Sequence, residues 1–280
     1  MKYRLLSVLR SWHLLTLADQ VKYWTTRAQL ASSNRAFRRK SPEFPVPPYE
    51  LAFDAYNNLS FDAYRDIGCL HASVFAEIIQ QVYGQAPISV LDWGCGPGRL
   101  IRHLPELLGP AAKLTGIDNN PESIAWCRAQ LAGIEFTVCQ LMPPTRFDDD
   151  RFDVVCNFSV LTHLSKDAVI AWIAELGRIL KPGGLIICTT HGDNYRHLLS
   201  GPEENVRYDA GDLVVQGNYT EGKKWFLTIH PELFMRNVLS LLFVDVQRIP
   251  LDPSKQMKQD VWIGRKPARP APDGGTNLPA

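Results

Sequence analysis

The sequence predicts an α/β fold in which helices cover both faces of a mostly parallel sheet. Short apolar runs alternate with stretches of helical spacing from residue 88 onward, which is typical of parallel strands connected by helices. The length of 280 residues, with 45% hydrophobic and 21% charged residues, suits one soluble domain with extensions. A glycine-rich turn follows the first strand, at the edge of the sheet where ligands of such folds bind. We therefore expect a binding site at that edge.

The apolar runs predict the individual strands of a seven-stranded sheet. They cover residues 88–93, 113–117, 135–138, 152–158, 185–189, 243–249 and 260–264. Two connecting helices have recognisable starts, because Asn120-Pro-Glu122 combines a capping side chain, a proline and an acid, and Ser165 can cap the next helix. Further helices are predicted at 69–83, 100–108 and 232–242. The strands and helices alternate, as an α/β domain requires.

Three segments with different composition divide the chain. Residues 1–48 are predicted to form a basic helical extension that ends in a proline-rich linker at 41–48. Residues 49–265 form the domain, with a polar, aromatic-containing insertion at 192–229. Residues 266–280 are rich in Pro, Gly and Ala, which predicts a disordered tail.

Charge is distributed unevenly along the chain. Residues 1–40 carry nine Lys or Arg and one acid, which is +8, so the net charge of +1 leaves −7 for the remainder. A net-negative body argues against nucleic acid as a partner. The basic extension suits either contact with an anionic membrane surface or packing on the domain or a partner subunit. Deletion of residues 1–40 is expected to leave turnover nearly unchanged, because the cofactor motifs follow residue 90.

Cysteine usage and hydropathy indicate a cytoplasmic location, with peripheral contact at the inner face of the membrane as an option for the basic extension. The six cysteines include no C-x-x-C pair and no Cys/His cluster with zinc-ligand spacing, so no metal site is expected. They are interpreted as reduced thiols of a cytoplasmic protein. A run of 18 apolar residues, which a membrane-spanning helix needs, is missing from the sequence.

The glycine-rich turn reads Val90-Leu-Asp-Trp-Gly-Cys-Gly-Pro-Gly98, and a second strand ends at Asp118. A carboxylate at that position can accept hydrogen bonds from a ribose diol, which fits either a dinucleotide or S-adenosylmethionine. The dinucleotide fingerprint G-x-G-x-x-G needs a small residue where this chain has Arg99. Asp92 also suits an ammonium group better than a pyrophosphate. The residues therefore favour S-adenosylmethionine over NAD.

Four segments in this order resemble the motifs of the class I S-adenosylmethionine-dependent methyltransferases. They are Asp92–Gly98, Gly116–Asp118, Phe152–His163 and Leu180–Leu185. The resemblance covers about residues 68–265 and implies a Rossmann-like methyltransferase fold with S-adenosyl-L-methionine as cofactor. More loosely, the segments 44–48 and 259–263 resemble bacterial members associated with surface-polysaccharide or glycolipid assembly.

The resemblance also implies a set of cofactor-binding residues. They are Asp92, Gly94, Cys95, Gly96, Asp118, Asn119, Gln140, Leu141 and Phe158. Asp118 takes the ribose role. Gln140 departs from the Asp or Asn that many members place against the adenine amino group, although its amide oxygen can accept the same hydrogen bond.

Two histidines are the candidates for a catalytic base, which a hydroxyl acceptor would need. His163 follows the fourth strand and His191 ends the fifth, so both are expected at the ligand-binding edge. His191 is preferred, because it leads into the insertion, whereas His163 is expected to brace the cofactor. A purely structural role stays open for each of them. His71 and His230 are weaker candidates.

The aromatic residues of the insertion are Tyr195, Tyr208, Tyr219, Trp225 and Phe226. They suit sugar stacking or a lid, and simple packing on the domain is an equal alternative.

The sequence thus predicts methyl transfer to an oxygen of a carbohydrate or another small molecule. A protein or amine N-methyltransferase is the first alternative. A NAD-dependent oxidoreductase is disfavoured by Arg99, and a non-catalytic binding module on the same fold remains open. A nucleobase acceptor is disfavoured because Asn157-Phe-Ser-Val160 stands where such enzymes carry an Asn/Asp-Pro-Pro-Tyr loop. The sequence does not define the oligomeric state.

Overall fold

A seven-stranded sheet lies at the centre of the computed structural model, which describes residues 15–216, 220–250 and 253–269. In chain order the strands are β1 Ser89–Trp93, β2 Lys113–Asp118, β3 Glu135–Val138, β4 Phe152–Asn157, β5 Leu180–Thr190, β6 Val214–Gln216, β7 Leu227–Ile229, β8 Val244–Ile249 and β9 Asp260–Arg265. The sheet has the order β3-β2-β1-β4-β5-β9-β8, while β6 and β7 form a separate antiparallel pair. Its first five strands are parallel, and β9 runs antiparallel between β5 and β8. The predicted mostly parallel seven-stranded sheet is confirmed.

Helices cover both faces of this sheet. In chain order they are α1 Leu15–Lys40, α2 Tyr49–Tyr56, α3 Phe61–Tyr83, α4 Leu104–Leu108, α5 Pro121–Gln130, α6 Lys166–Ile179, α7 Pro202–Asp209 and α8 Glu232–Ser240. Successive residues of β1 point to opposite faces, so that Val90 packs with the side of α3 and α5, and Leu91 with the side of α6 and α8. Both residues are fully buried, as expected for a parallel strand covered on two sides.

Local capping explains where several helices begin. The side chain of Asn120 accepts hydrogen bonds from the backbone amides of Glu122 and Ser123, and Ser165 accepts one from Ala168. Helix α3 begins at Phe61 behind the cap Ser60, which is earlier than the sequence pattern indicates. Helix α2 has no sequence-based counterpart, and the segment 100–108 starts with a 3₁₀ turn before α4.

The proline-rich segment is packed on the domain rather than free as a linker. Arg102 donates a hydrogen bond of 2.6 Å to the Pro45 carbonyl oxygen, and its guanidinium carbon lies 3.7 Å from the centre of the Phe44 ring. The predicted boundary at residue 48 therefore does not correspond to a break in packing.

The second half of α1 also belongs to the hydrophobic core. Phe37 is 2% exposed, and the buried amide of Asn34 bonds the Leu59 carbonyl oxygen and the Phe61 backbone amide. Removing residues 1–40 would leave these two buried backbone groups without partners and open a cavity. The expectation that this deletion preserves turnover therefore conflicts with the structure.

The C-terminal segment starts with an anchored residue. The Lys266 ammonium group lies 2.8 Å from Asp150 and 2.6 Å from the Leu180 carbonyl oxygen. The predicted disordered tail lies outside the described residues from 270 onward. Within the described ranges, no helix combines the length and apolar character needed to cross a bilayer. The same ranges contain no group of three or more His, Cys, Asp or Glu side chains that could hold a metal ion.

Candidate active site

A cavity of about 330 Å³ opens at the carboxyl edge of the sheet. The loops that follow β1, β2, β3 and β4 line it, because parallel strands end at the same edge. All nine residues predicted to contact the cofactor line this cavity: Asp92, Gly94, Cys95, Gly96, Asp118, Asn119, Gln140, Leu141 and Phe158. The sequence motifs therefore converge on one site.

Asp118 is held in place by two backbone amides. Its Oδ2 accepts a hydrogen bond of 2.8 Å from Gly96, and its Oδ1 accepts one of 2.8 Å from Asn120. Burial raises the pKa of this carboxyl group, and the two amide hydrogen bonds oppose that shift. Each carboxylate oxygen retains a lone pair after these contacts, so Asp118 can still accept two hydroxyl protons from a ligand.

The turn after β1 needs glycine for two reasons. Gly94 and Gly96 have φ values of +73° and +52°, which residues with a side chain rarely adopt. A Cβ atom on Gly94 would also lie 2.1 Å from a methyl carbon of Val160. The turn is fixed to the neighbouring strand, because the amides of Gly94 and Cys95 both donate to the Ile117 carbonyl oxygen.

Asp92 is a buried carboxylate that lacks a partner on one oxygen. It is 2% exposed, and its Oδ2 makes no hydrogen bond within the described part of the chain. Burial, and then the neighbouring charge of Asp118, raise the pKa of Asp92 to about 8. A cationic group placed beside it would favour the ionised form and offset the cost of burial.

His163 lines the cavity with one ring nitrogen already engaged. Its Nδ1 lies 2.9 Å from the Phe226 carbonyl oxygen, which can only accept, so Nδ1 carries the proton in the neutral ring. Nε2 is then the unprotonated nitrogen. Burial lowers the pKa of His163, which keeps the ring neutral near pH 7. His163 can therefore accept a proton at Nε2.

His191 lies behind the cavity and is not one of its lining residues. The ring is 6% exposed, stacks on Tyr195 at 3.9 Å between ring centres, and has Nε2 3.1 Å from the Gln259 amide nitrogen. Burial lowers the pKa of His191 to about 3. The preference for His191 as the base is thus not supported by its position. Gln259, adjacent to β9, hydrogen-bonds Thr189 at the end of β5 and contacts the His191 ring. His230 is buried as well.

The aromatic residues of the insertion pack mainly on the domain. Tyr208 donates a hydrogen bond of 2.7 Å to Asp193, Tyr195 stacks on His191, and Phe226 is 8% exposed. These three do not line the cavity. Tyr219 lies outside the described residues. The packing interpretation therefore fits these three better than sugar stacking.

Sequence reasoning missed the residues that close the open side of the cavity. They are Asp54, Ala55 and Tyr56 of α2, with Gly222, Lys223 and Lys224 of the insertion. The Gly222 amide donates a hydrogen bond of 2.9 Å to the His163 carbonyl oxygen. Lys224 forms an ion pair with Asp19 of α1, and its Nζ lies 4.0 Å from the centre of the Phe53 ring. The site is therefore built from three distant parts of the chain.

Comparison with known sequences agrees with this geometry. Residues 90–184, which contain the glycine turn, Asp118 and His163, match the family described as a methyltransferase domain. This segment is about a third of the chain, and its similarity supports the class I S-adenosylmethionine-dependent methyltransferase family.

Two named relatives resemble the central part of this chain. Over 113 residues it is 32% identical to a ubiquinone biosynthesis O-methyltransferase of Cereibacter sphaeroides, covering 38% of this chain and 42% of that protein. Over 108 residues it is 34% identical to the demethylmenaquinone methyltransferase of Chlorobaculum tepidum, covering 38% of this chain and 41% of that protein. The chain spans about two fifths of the length of these relatives.

Solved structures share the fold of this chain. The CurJ carbon methyltransferase superposes with a TM-score of 0.57 at 15% identity, covering 94% of this chain and 71% of that chain. An O-methyltransferase family protein from Burkholderia thailandensis gives a TM-score of 0.52 at 17% identity, covering 90% and 71% respectively. The Rossmann-like methyltransferase fold is thereby confirmed.

The cofactor of this family, S-adenosylmethionine, fits the residues of the cavity. The unpartnered Oδ2 of Asp92 suits the cofactor's ammonium group, and the two remaining lone pairs of Asp118 suit a ribose diol. The glycines leave room for a ligand to approach the backbone. The chain thus supplies the charges and the space that S-adenosylmethionine requires.

Proposed function

We propose that this protein transfers a methyl group from S-adenosylmethionine to an oxygen atom of a small-molecule acceptor. The observation that carries the proposal is one cavity lined by the buried Asp92, the half-buried Asp118 and His163, whose Nε2 is unprotonated. The carboxylates suit the donor, and the histidine suits a hydroxyl group that must lose its proton.

In this proposal Asp118 accepts hydrogen bonds from the ribose, Asp92 faces the ammonium group, and Gln140 and Leu141 adjoin the adenine. The cofactor supplies a methyl group on a sulfonium whose leaving group is neutral. The protein therefore needs mainly to position the acceptor and to exclude water. Gly222 and Lys223 serve this purpose by closing the open side of the cavity.

His163 acts as the general base in the proposed reaction. Its Nδ1–H donates to the Phe226 carbonyl oxygen, which fixes the ring and leaves Nε2 to accept the acceptor's hydroxyl proton. The carboxylate of Asp54, which also lines the cavity, favours the protonated ring that would result. The proton therefore has a defined destination within the cavity.

The acceptor class is proposed from the shape of the site and from the relatives. A cavity that residues of the insertion partly line suits a small molecule or a terminal sugar better than a folded protein. One relative is named as an O-methyltransferase. An amine acceptor is the alternative, and the net-negative body disfavours nucleic acid.

We propose a cytoplasmic location with peripheral contact to an anionic membrane surface. Leu17, Val21 and Trp24 are 60%, 56% and 62% exposed and recur at helical spacing on one side of α1. Arg35 and Arg39 continue the same side and are exposed. Apolar residues that can enter the headgroup region, followed by cations, are complementary to anionic lipid.

Calorimetry with S-adenosylhomocysteine and NAD tests the donor. We expect S-adenosylhomocysteine to bind and NAD to give negligible heat, and the opposite ranking would overturn the proposal.

An acceptor screen with labelled S-adenosylmethionine then tests the acceptor atom, because an O-methyl and an N-methyl product are distinguished by their fragmentation in mass spectrometry. Exclusive N-methylation would contradict the oxygen assignment and the need for a base.

A further inference from the structure

Arg99 is a cation at the cavity that has no anionic partner. It directly follows the glycine turn and lines the same cavity as Asp92 and Asp118. Its guanidinium carbon lies 4.3 Å from the centre of the Tyr56 ring and 5.4 Å from that of Phe158. No carboxylate among the described residues pairs with it, and burial lowers its pKa. Arg99 is half-buried, and a cation drawn partly out of water without a carboxylate is unusual.

His71 adds unpartnered donor capacity beside Arg99. It also lines the cavity, is 6% exposed, and neither ring nitrogen makes a standard hydrogen bond within the described chain. Its ring stacks on Phe158 with 4.6 Å between ring centres and an angle of 21°. Burial, and then the charge of Arg99, lower the pKa of His71 to about 4. The neutral ring carries one N–H. Both ring nitrogens are buried and the Gln256 backbone lies beside the ring, so a ligand reaches this N–H only if the ring turns.

Close helix packing brings these two residues together. Gly68 lies one turn before His71 on α3, and a Cβ atom there would be 2.4 Å from the Arg99 carbonyl oxygen. The absence of a side chain at Gly68 thus lets α3 approach the glycine turn. Tyr56 completes the arrangement, because its hydroxyl accepts a hydrogen bond of 3.2 Å from the Arg99 backbone amide.

The cavity is lined by groups of both signs. Asp92 and Asp118 are acidic and suit the cofactor, whereas Arg99 is a cation and the neutral ring of His71 offers one N–H donor. The guanidinium of Arg99 lies against the rings of Tyr56 and Phe158 and forms no ion pair with either acid.

We infer that Arg99 and His71 form a subsite for an anionic group of the acceptor, a carboxylate or a phosphate, next to the aromatic rings of Tyr56 and Phe158. The inference rests on the proposed function, since it narrows the acceptor of that reaction to an anionic molecule. A guanidinium donates to such oxygens with charge-assisted hydrogen bonds, and one imidazole N–H adds a further donor. The same chemistry would suit the cofactor's carboxylate, so the experiment must separate the two sources.

Inorganic phosphate and acetate serve as probes in calorimetry with saturating S-adenosylhomocysteine. We expect at least one of them to bind the wild-type protein, and Arg99→Gln to weaken that binding at least tenfold. Arg99→Lys should retain part of it, since a cation remains. Arg102→Gln is the matched control, because Arg102 stacks on Phe44 in a similar way but does not line the cavity. His71→Phe keeps the stack on Phe158 and removes both ring nitrogens, so it should weaken anion binding severalfold.

Each other outcome has a defined meaning. Absence of anion binding to the wild-type protein, or equal binding to Arg99→Gln, overturns the subsite. If Arg99→Gln unfolds, His71→Phe decides in its place. If Arg99→Gln weakens S-adenosylhomocysteine but not 5′-methylthioadenosine, which lacks the amino-acid part, the anion belongs to the cofactor and the acceptor assignment is wrong. If S-adenosylhomocysteine does not bind the wild-type protein, the proposed function fails, and phosphate binding without cofactor still decides the subsite.

Discussion

Lys224 of the insertion forms an ion pair with Asp19 of α1, and both side chains are largely buried. Their exposed fractions are 18% and 14%. The second oxygen of Asp19 makes no hydrogen bond within the described residues, and Phe53 lies 4.0 Å from the Lys224 ammonium nitrogen. The pair joins the N-terminal helix to the segment that closes the cavity, so α1 contributes to the site without touching the cofactor motifs.

The first prediction concerns this ion pair. Asp19→Asn should lower the free energy of unfolding by about 1–3 kcal/mol, less than for a fully buried pair, and weaken S-adenosylhomocysteine binding. Chemical denaturation and calorimetry measure the two effects. The matched control is Arg196→Gln, which breaks an exposed pair with Asp209 and should change the free energy of unfolding far less. Equal effects of the two variants would show that the Asp19 pair does not stabilise the closing segment.

A second prediction concerns the ribose contact. Asp118→Ala removes charge-assisted hydrogen bonds worth roughly 1.5–3 kcal/mol each, so S-adenosylhomocysteine affinity should fall at least tenfold. Asp153→Ala is the control, because Asp153 also accepts a backbone hydrogen bond, from Ser89, but lies at the opposite end of its strand. Calorimetry on both variants is the measurement. An unchanged dissociation constant for Asp118→Ala would mean that another group binds the ribose.

The third prediction is a pH dependence of stability without cofactor. Asp92 has a folded pKa of about 8, against an ordinary value of 3.8, so the folded chain retains a proton that the unfolded chain loses between these values. The stability that Asp92 contributes is present below pH 4 and is lost as the pH rises towards 8. Asp92→Asn should therefore gain stability relative to the wild type across this window, by at most about 1.4 kcal/mol per pH unit.

Thermal unfolding from pH 4 to 8 measures this difference. Asp153 provides the contrast, because hydrogen bonds from Lys181 and Ser89 hold its pKa below the ordinary value despite burial. Its contribution is present above pH 4 and lost as the pH falls. A difference between Asp92→Asn and the wild type that does not change with pH would exclude a raised pKa for Asp92.

A fourth prediction concerns the base. His163→Asn should lower the turnover of a hydroxyl acceptor by roughly 10²–10⁴-fold while S-adenosylhomocysteine still binds. Because burial lowers the pKa of His163, the wild-type rate should begin to fall only below pH 6.5. His191→Asn is the control, expected to affect stability more than rate, since His191 lies outside the lining of the cavity. The reverse ranking in steady-state kinetics would reinstate His191 as the base.

The fifth prediction concerns the membrane. The triple variant Leu17→Ser, Val21→Ser and Trp24→Ser should lose flotation with anionic vesicles, and neutral vesicles should bind neither protein. Leu233→Ser is the control, because Leu233 is 55% exposed but lies on α8. Equal flotation of both variants would leave the exposed side of α1 to another partner.

Local patterns explain why the cofactor-binding part of the site could be predicted from the sequence. Asp92 and Asp118 lie at the ends of adjacent parallel strands, and parallel pairing of those strands fixes the edge to which both belong. The conformation of the glycine turn could also be predicted from its residues, because Gly94 and Gly96 have positive φ values. The strands could be predicted because parallel strands that are buried on both faces appear in the sequence as apolar runs.

The remaining part depends on contacts that have no local signal. Asp19 and Lys224 belong to segments far apart in sequence, and no pattern in either segment predicts a contact with the other. Gln259 contacts His191, which lies outside the cavity lining, and this contact could be foreseen only by knowing where the antiparallel β9 lies. The proline-rich segment has the composition of a linker, but its Phe44 packs against Arg102 of the domain.

The position of β9 has a consequence for synthesis of the chain. Strand β5 is complete at Thr190, but its pairing edge stays open until β9 follows at residues 260–265, and within the described residues β8 pairs only with β9. A nascent chain that has emerged only as far as β8 therefore presents the unpaired edge of a long and mainly apolar strand. We therefore expect aggregation during expression to occur mainly between the synthesis of β8 and that of β9. At this stage the cofactor motifs have been made, but the sheet that supports them is incomplete.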